Sequence, residues 1–178
     1  IALLAFRIIK DFPEFYPMFS EPEFTFNKTR QYNRNPLLRE LDAVLSTCAS
    51  DPAADLVVLR GAGERAFSAG VDIKDNRSEK VPEMLEVVHG ALRKLLALPQ
   101  VTIARVQGVC LGGGCELASC CDFILAAENS SFATPEILVG CYPPVALARF
   151  SSLIGYRRAA DLILTGRSIS AEEALSMG

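Results

Sequence analysis

The chain is poor in the residues and patterns that would mark several functional classes. It holds one histidine, His89, and none of its six cysteines shares a CxxC spacing. The usual ligand sets for a structural zinc or a redox dithiol are therefore missing, and no metal is expected. Five of the cysteines, Cys110, Cys115, Cys120, Cys121 and Cys141, fall in an apolar, glycine-rich stretch, where cysteine acts as a small buried hydrophobe. Together with Cys48 they read as reduced thiols of a cytoplasmic protein, not as a disulfide framework. There is no long basic run, and the formal charge is −3, which argues against nucleic acid as a partner. No apolar run reaches the roughly 18–20 residues that a membrane span needs. The opening Ile1-Ala2-Leu3-Leu4-Ala5-Phe6 is apolar, but no basic segment precedes it and no small-residue cleavage site follows; an export signal is not expected.

What is present suits one globular domain. The 178 residues are 50% hydrophobic, enough for a real core. Pro36 suits a helix start, with Leu37, Leu38, Leu41, Val44 and Leu45 on one face, and Asp51-Pro52 closes it. Leu56-Val57-Val58-Leu59 reads as a buried parallel strand, followed by a turn at Gly61-Ala62-Gly63. Phe67-Ser68-Ala69-Gly70-Val71 then leads into a polar loop carrying Asp72, Lys74 and Asp75. A helix from about Pro82 turns Met84, Leu85, Val88, Leu92 and Leu95 inward and leaves His89 facing solvent. Residues 101–106 read as a second buried strand running straight into Gly112-Gly113-Gly114, and residues 123–126 as a third. Helical patterns cover 145–154 and 159–164, and another helix starts at Ser170 with Glu173 in capping-box position. Strands alternating with helices imply an α/β fold. Residues 1–35 show no useful periodicity, and the helix begun at Ser170 is expected to be cut short at Gly178.

The chemistry gathers around the glycine turn. Amides at a helix N-terminus carry partial positive charge without intrahelical partners, so they can hold a developing oxyanion. Glu116 lies on the first turn of that helix and Glu136 follows 20 residues later. Two carboxyl groups beside such a pocket can move protons to and from a water and a carbon acid. Taken singly, the glycines read as a tight turn, Glu116 as a complement to the helix dipole, and Glu136 as a solvated turn residue. A dinucleotide fingerprint fails, because its third glycine would fall at Leu117.

In this order, Ala66-Phe67-Ser68-Ala69-Gly70-Val71-Asp72-Ile73-Lys74, residues 108–122, residues 132–140, and residues 164–167 with 170–178 resemble the crotonase (enoyl-CoA hydratase/isomerase) superfamily. The resemblance covers about residues 37–178. It implies a crotonase-like spiral of ββα units, with the C-terminal helical region truncated. It further implies that the amides of Val71 and Gly113 form an oxyanion hole for a thioester carbonyl, and that Glu116 and Glu136 are the acid/base pair, their individual roles open. Ser68 and Ala69 would line the coenzyme A adenine. Lys74 would approach the coenzyme's phosphates, although it and Asp72 divide evenly between ligand contact and surface loop. Coenzyme A enters as part of an acyl-CoA substrate, with no prosthetic group. The expected activity is hydration of an enoyl-CoA or cyclic dienoyl-CoA; a double-bond isomerase and a non-catalytic coenzyme A-binding or assembly subunit are the alternatives. The segment from Gly70 to Met84 and the run Gly140-Cys141-Tyr142-Pro143-Pro144-Val145-Ala146 are most similar to cyclohexa-1,5-diene-1-carbonyl-CoA hydratases of aromatic acid degradation. A homo-oligomer, a trimer or dimer of trimers, is implied as well. Residues 27–36 stand where the family carries an Asn-Arg-Pro type motif, and a frame displaced by one base is compatible with that motif. The expected division is thus an atypical segment 1–35, a candidate reading-frame artefact, and a core domain 36–178.

Overall fold

The computed structural model describes residues 4–5, 23–26, 29–32, 36–63, 65–70 and 81–178. Val71, Asp72, Lys74 and Asp75 lie outside the described residues, so the expectations placed on them are not addressed by the fold.

Helix α1 (Pro36–Ser50) starts at its proline and ends before Asp51-Pro52, as the sequence predicts. Leu41, Leu45 and Cys48 form its buried stripe, at the i, i+4, i+7 spacing of one helical face. The Asp51 carboxylate accepts from the Ala53 amide at 2.9 Å, which turns the chain toward the first sheet.

That sheet orders four strands as β1 (Leu4–Ala5), β4 (Leu56–Gly61), β6 (Val101–Val106) and β8 (Phe123–Ala126). β4, β6 and β8 are mutually parallel, in the registers Leu56↔Val101 and Ile103↔Phe123, whereas β1 is antiparallel to β4. The second sheet runs β10 (Ile169–Ser170), β9 (Ser131–Ala133), β7 (Val109–Leu111), β5 (Ala66–Ser68). A separate hairpin, β2 (Glu23–Phe26) with β3 (Thr29–Tyr32), occupies part of the segment to which the sequence assigns no element.

The repeat is a strand in the first sheet, a strand in the second, then a helix. β4 and β5 lead to α2 (Val81–Leu96); β6 and β7 lead to α3 (Gly113–Ser119). β8 and β9 lead to a 3₁₀ turn (Pro135–Val139) and α4 (Pro144–Ile154). This is the crotonase-like α/β spiral that the motifs imply. Helices α5 (Tyr156–Thr165) and α6 (Ala171–Met177) follow. The Ser170 hydroxyl accepts from the Glu173 amide at 3.1 Å, so the predicted capping position is realised. Phe67, Leu45, Leu59, Leu95, Val57 and Val106 are fully enclosed between the sheets and helices. Each such side chain is worth roughly 1.5–3 kcal/mol of burial.

Several sequence expectations need correction. β4 and β6 alternate buried and exposed positions, because each strand has only one face on the core. β6 does not run into the glycine turn: the chain breaks at Gln107-Gly108, crosses to the other sheet and enters the turn from β7. β8 is not a buried strand. Phe123 and Leu125 are each 59% exposed, since β8 is the sheet's edge and no described element covers it. Cys141 is exposed, unlike the five buried cysteines, because it lies beyond the 3₁₀ turn on the surface. No helix among the described residues is long and apolar enough to cross a membrane.

Candidate active site

The glycine turn is held from both sides. The Gly112 amide donates to the Ala133 carbonyl of β9 at 2.8 Å, and the Gly112 carbonyl accepts from the Glu116 amide at 3.0 Å. Gly113, Gly114 and Cys115 then supply the first-turn amides of α3, which have no intrahelical acceptor. α3 packs against β5 at backbone distance. A β-carbon on Gly114 would stand 2.5 Å from the Ser68 carbonyl oxygen, and one on Gly70 would stand 3.0 Å from the Gly113 nitrogen. The end of the 66–70 segment therefore lies directly beside the Gly113 amide. Ser68 is buried, and its hydroxyl accepts from the Gly70 amide at 3.2 Å. Ala69 is exposed.

Glu116 is only 6% exposed. Its Oε1 accepts from the amides of Val145 at 2.7 Å and Ala146 at 3.0 Å, the first turn of α4. That helix has no side-chain cap of its own, since Pro143 and Pro144 occupy its start. A carboxylate from another helix thus satisfies its orphan amides and its dipole. Burial raises the Glu116 pKa, while the two amides and the charge of His89 pull it back. His89 is half-buried, which corrects the solvent-facing expectation.

Glu136 sits in the first turn of the 3₁₀ helix. A β-carbon on Gly112 would lie 2.7 Å from its Oε1, so its carboxyl group covers the glycine turn. Its Oε2 is buried without a hydrogen-bond partner. Burial raises its pKa; its own backbone amide opposes this, and the negative charge of Glu116 adds to it. The structure thus brings Glu116, Glu136, Gly113, Gly70 and Ser68 together at one turn. Val71 and Lys74 fall outside the described residues.

The cysteines beneath this turn are buried. A hydrogen bond with Cys115, burial and neighbouring thiols raise the Cys110 pKa, and burial pushes Cys121 up to about 12. Among the described residues no group of His, Cys, Asp or Glu could hold a metal ion. A separate cavity of about 880 Å³ opens beside Cys115, Phe132, Phe150 and Met177, and neither glutamate lines it.

Sequence reasoning missed the partners of Glu116. A signal for them exists: a helix starting Pro-Pro with no Ser, Thr, Asp or Asn cap needs an acceptor from elsewhere.

The comparisons with known proteins concern the family and the fold. Residues 24–178 match the family "Enoyl-CoA hydratase/isomerase". A "Probable enoyl-CoA hydratase" of Rhizobium meliloti is 42% identical over 144 residues, covering 80% of this chain and 56% of the relative. A "Crotonyl-CoA hydratase" of Syntrophomonas wolfei is 39% identical over 152 residues, covering 82% and 57%. The crystal structure of an enoyl-CoA hydratase from Bacillus anthracis superposes with a TM-score of 0.78 at 34% identity, covering 89% of this chain and 68% of that one. The chain spans less than two thirds of the length of these two curated relatives. On its sequence and its crotonase-like α/β fold, the chain belongs to the enoyl-CoA hydratase/isomerase family.

Proposed function

We propose that the protein is a hydro-lyase that adds water across the double bond of a conjugated acyl-CoA thioester. The observation that carries this reading is the pairing of two unlike carboxyl groups, Glu116 and Glu136, at one turn of unpartnered amides. The reaction needs the thioester oxygen to carry negative charge when water reaches the β-carbon. The amide of Gly113, with that of Val71, binds this oxyanion better than the ground-state carbonyl and so lowers the barrier. Losing one such donor costs about 3–4 kcal/mol.

The carboxyl environments supply the roles. Glu116, clasped by two amides, is the carboxylate that takes a proton from the water as its oxygen bonds to the β-carbon. Glu136, with a buried oxygen lacking a donor, is the acid that gives its proton to the α-carbon of the enolate. One water is added in total, and the two glutamates exchange protonation states until solvent resets them. No prosthetic group is required; coenzyme A is the carrier half of the substrate, with Ser68, Ala69 and Lys74 at its adenosine end.

The finer reading is a cyclic dienoyl substrate of the cyclohexa-1,5-diene-1-carbonyl-CoA type, as used in aromatic acid degradation. Pro143 and Pro144 stiffen the start of α4, the turn whose amides hold Glu116, and a rigid backbone there suits a ring better than a flexible chain. The same reading takes the protein as a cytoplasmic homotrimer or dimer of trimers, with residues 36–178 as its core domain.

Hydration of cyclohexa-1,5-diene-1-carbonyl-CoA and crotonyl-CoA, measured side by side with Glu116→Gln as control, tests the proposal. Faster turnover of the ring, lost in the control, is expected. Preference for crotonyl-CoA removes the ring reading. Double-bond migration without water uptake replaces hydratase with isomerase, and coenzyme A binding without turnover by folded protein leaves a non-catalytic subunit.

A further inference from the structure

α3 has only seven residues, too few to hold a helix by itself in water. Its direction must come from its contacts, and two of these form a reciprocal pair with α4. Glu116 reaches from α3 to the first-turn amides of Val145 and Ala146. In return Arg149 reaches from α4 to the other end of α3, where its Nε and Nη2 donate to the Ser119 carbonyl at 3.3 and 3.2 Å. Ser119 is the last residue of α3, where carbonyls lack intrahelical donors and a cation complements the dipole. The same Ser119 donates its hydroxyl to the Glu116 carbonyl at 2.6 Å. The two ties are three residues apart on α3 and three to four on α4, about one turn. Added to the packing of α3 on β5, two ties at this spacing set its rotation and its slide along α4.

We propose that Arg149 is a positioning residue for the candidate base: its fork on the Ser119 carbonyl holds α3 so that the Glu116 carboxylate meets both α4 amides. The inference rests on the catalytic reading of Glu116, but the tie itself does not. Other charged or titratable groups near Glu116 are His89 from α2, Glu136 from the 3₁₀ turn and Cys120 following α3.

The test titrates Glu116 without substrate. The side-chain carboxyl ¹³C signals of glutamate-labelled protein are followed against pH, with Glu116 assigned by its loss in Glu116→Gln. Arg149→Lys and Arg149→Gln are compared with the parent, and thermal melts confirm that each is folded. Lysine keeps the charge but not the fork, so a shift in that variant reports geometry and not charge loss. The expected result is an upward displacement of the Glu116 midpoint in both variants as its amide bonds weaken, larger for glutamine. In parallel, kcat should fall roughly 10- to 100-fold with a smaller change in KM. An unchanged Glu116 midpoint in a folded variant overturns the proposal, whatever happens to the melting temperature. If the glutamine variant does not fold, the lysine variant decides alone. A parent protein that titrates as described but turns over no thioester overturns the hydratase reading and leaves the tie standing.

Discussion

Glu116, on the helix that the glycine turn opens, and Glu136, whose carboxyl covers that turn, carry the same functional group in opposite surroundings. Glu116 is nearly sealed from solvent but meets two amide donors at 2.7 and 3.0 Å. Glu136 is less enclosed, but one of its oxygens is buried with nothing to bond. A buried carboxylate is tolerated when hydrogen bonds replace water, and an unpartnered one gains by holding a proton. On the proposed roles, the contrast teaches that backbone geometry alone can set two glutamates apart as acid and base. It also shows why neither glutamate could be assigned its role from position in the chain.

The strongest way to break the contrast is to remove each charge in turn. Glu116→Gln keeps an oxygen that can accept from Val145 and Ala146 but cannot take a proton, so kcat should fall ~10²–10⁴-fold. Glu136→Gln should cost a similar factor, because the amide cannot protonate the α-carbon. The pH dependence tells them apart. Rate in Glu136→Gln should keep only the rise with pH that reports ionisation of Glu116; rate in Glu116→Gln should keep only the fall that reports loss of the Glu136 proton. Residual pH–rate profiles with the opposite assignment reverse the two roles.

A smaller effect separates the scaffolds of the two groups. Gly114→Ala would drive a β-carbon to within 2.5 Å of the Ser68 carbonyl oxygen. Backbone cannot swing aside, so the α3–β5 contact must open, at a cost of about 1–3 kcal/mol. Gly112→Ala meets instead the tip of Glu136, 2.7 Å away, with φ at +54°. The side chain can move, but with ψ at −128° the backbone is outside the left-handed helical region and the strain is about 1–3 kcal/mol. Both variants lose stability by chemical denaturation, but Gly112→Ala should selectively disturb the acid. The limb of the pH–rate profile assigned to Glu136 should move, and that of Glu116 should stay. Equal movement of both limbs would mean that the glycine turn couples the two carboxyls more tightly than their separate partners suggest.

Much of this arrangement was legible in the sequence, and the rest fails for identifiable reasons. α1, the Ser170 cap and the glycine turn rest on local signals, namely a proline, a hydroxyl–glutamate spacing and a triplet of glycines, and each appears as expected. The division of residues 101–111 between two sheets was hidden, because Gln107-Gly108 is the one turn signal within that stretch. Exposure of β8 was equally invisible: Phe123-Ile124-Leu125 states that a strand is apolar, not which neighbours reach it. Within the site, the candidate carboxylates could be found from motif spacing. Their partners could not, since Glu116 finds Val145 across 29 residues and Arg149 returns the contact from a helix that carries no motif of its own.

The smallest expected effect concerns stability, where the two glutamates should behave alike despite their different roles. Both have folded-state pKa values raised above the ordinary glutamate value, in each case first by burial. Between the unfolded and folded values the native state holds more protons than the unfolded chain, so stability falls as pH rises through that window. Above it the full cost of the buried charge remains. Glu116→Gln and Glu136→Gln remove that cost, so each variant should match the parent below the ordinary glutamate pKa and become the more stable protein as pH rises toward neutrality. Denaturant midpoints of parent and variants at acidic and neutral pH measure this directly. The gain should be smaller for Glu116→Gln, because its two amides already compensate part of the buried charge and a neutral oxygen accepts from them less strongly. A neutral-pH loss of stability in Glu116→Gln alone would mean that capping α4 outweighs burial of the charge, making this carboxylate a structural anchor as well as the candidate base.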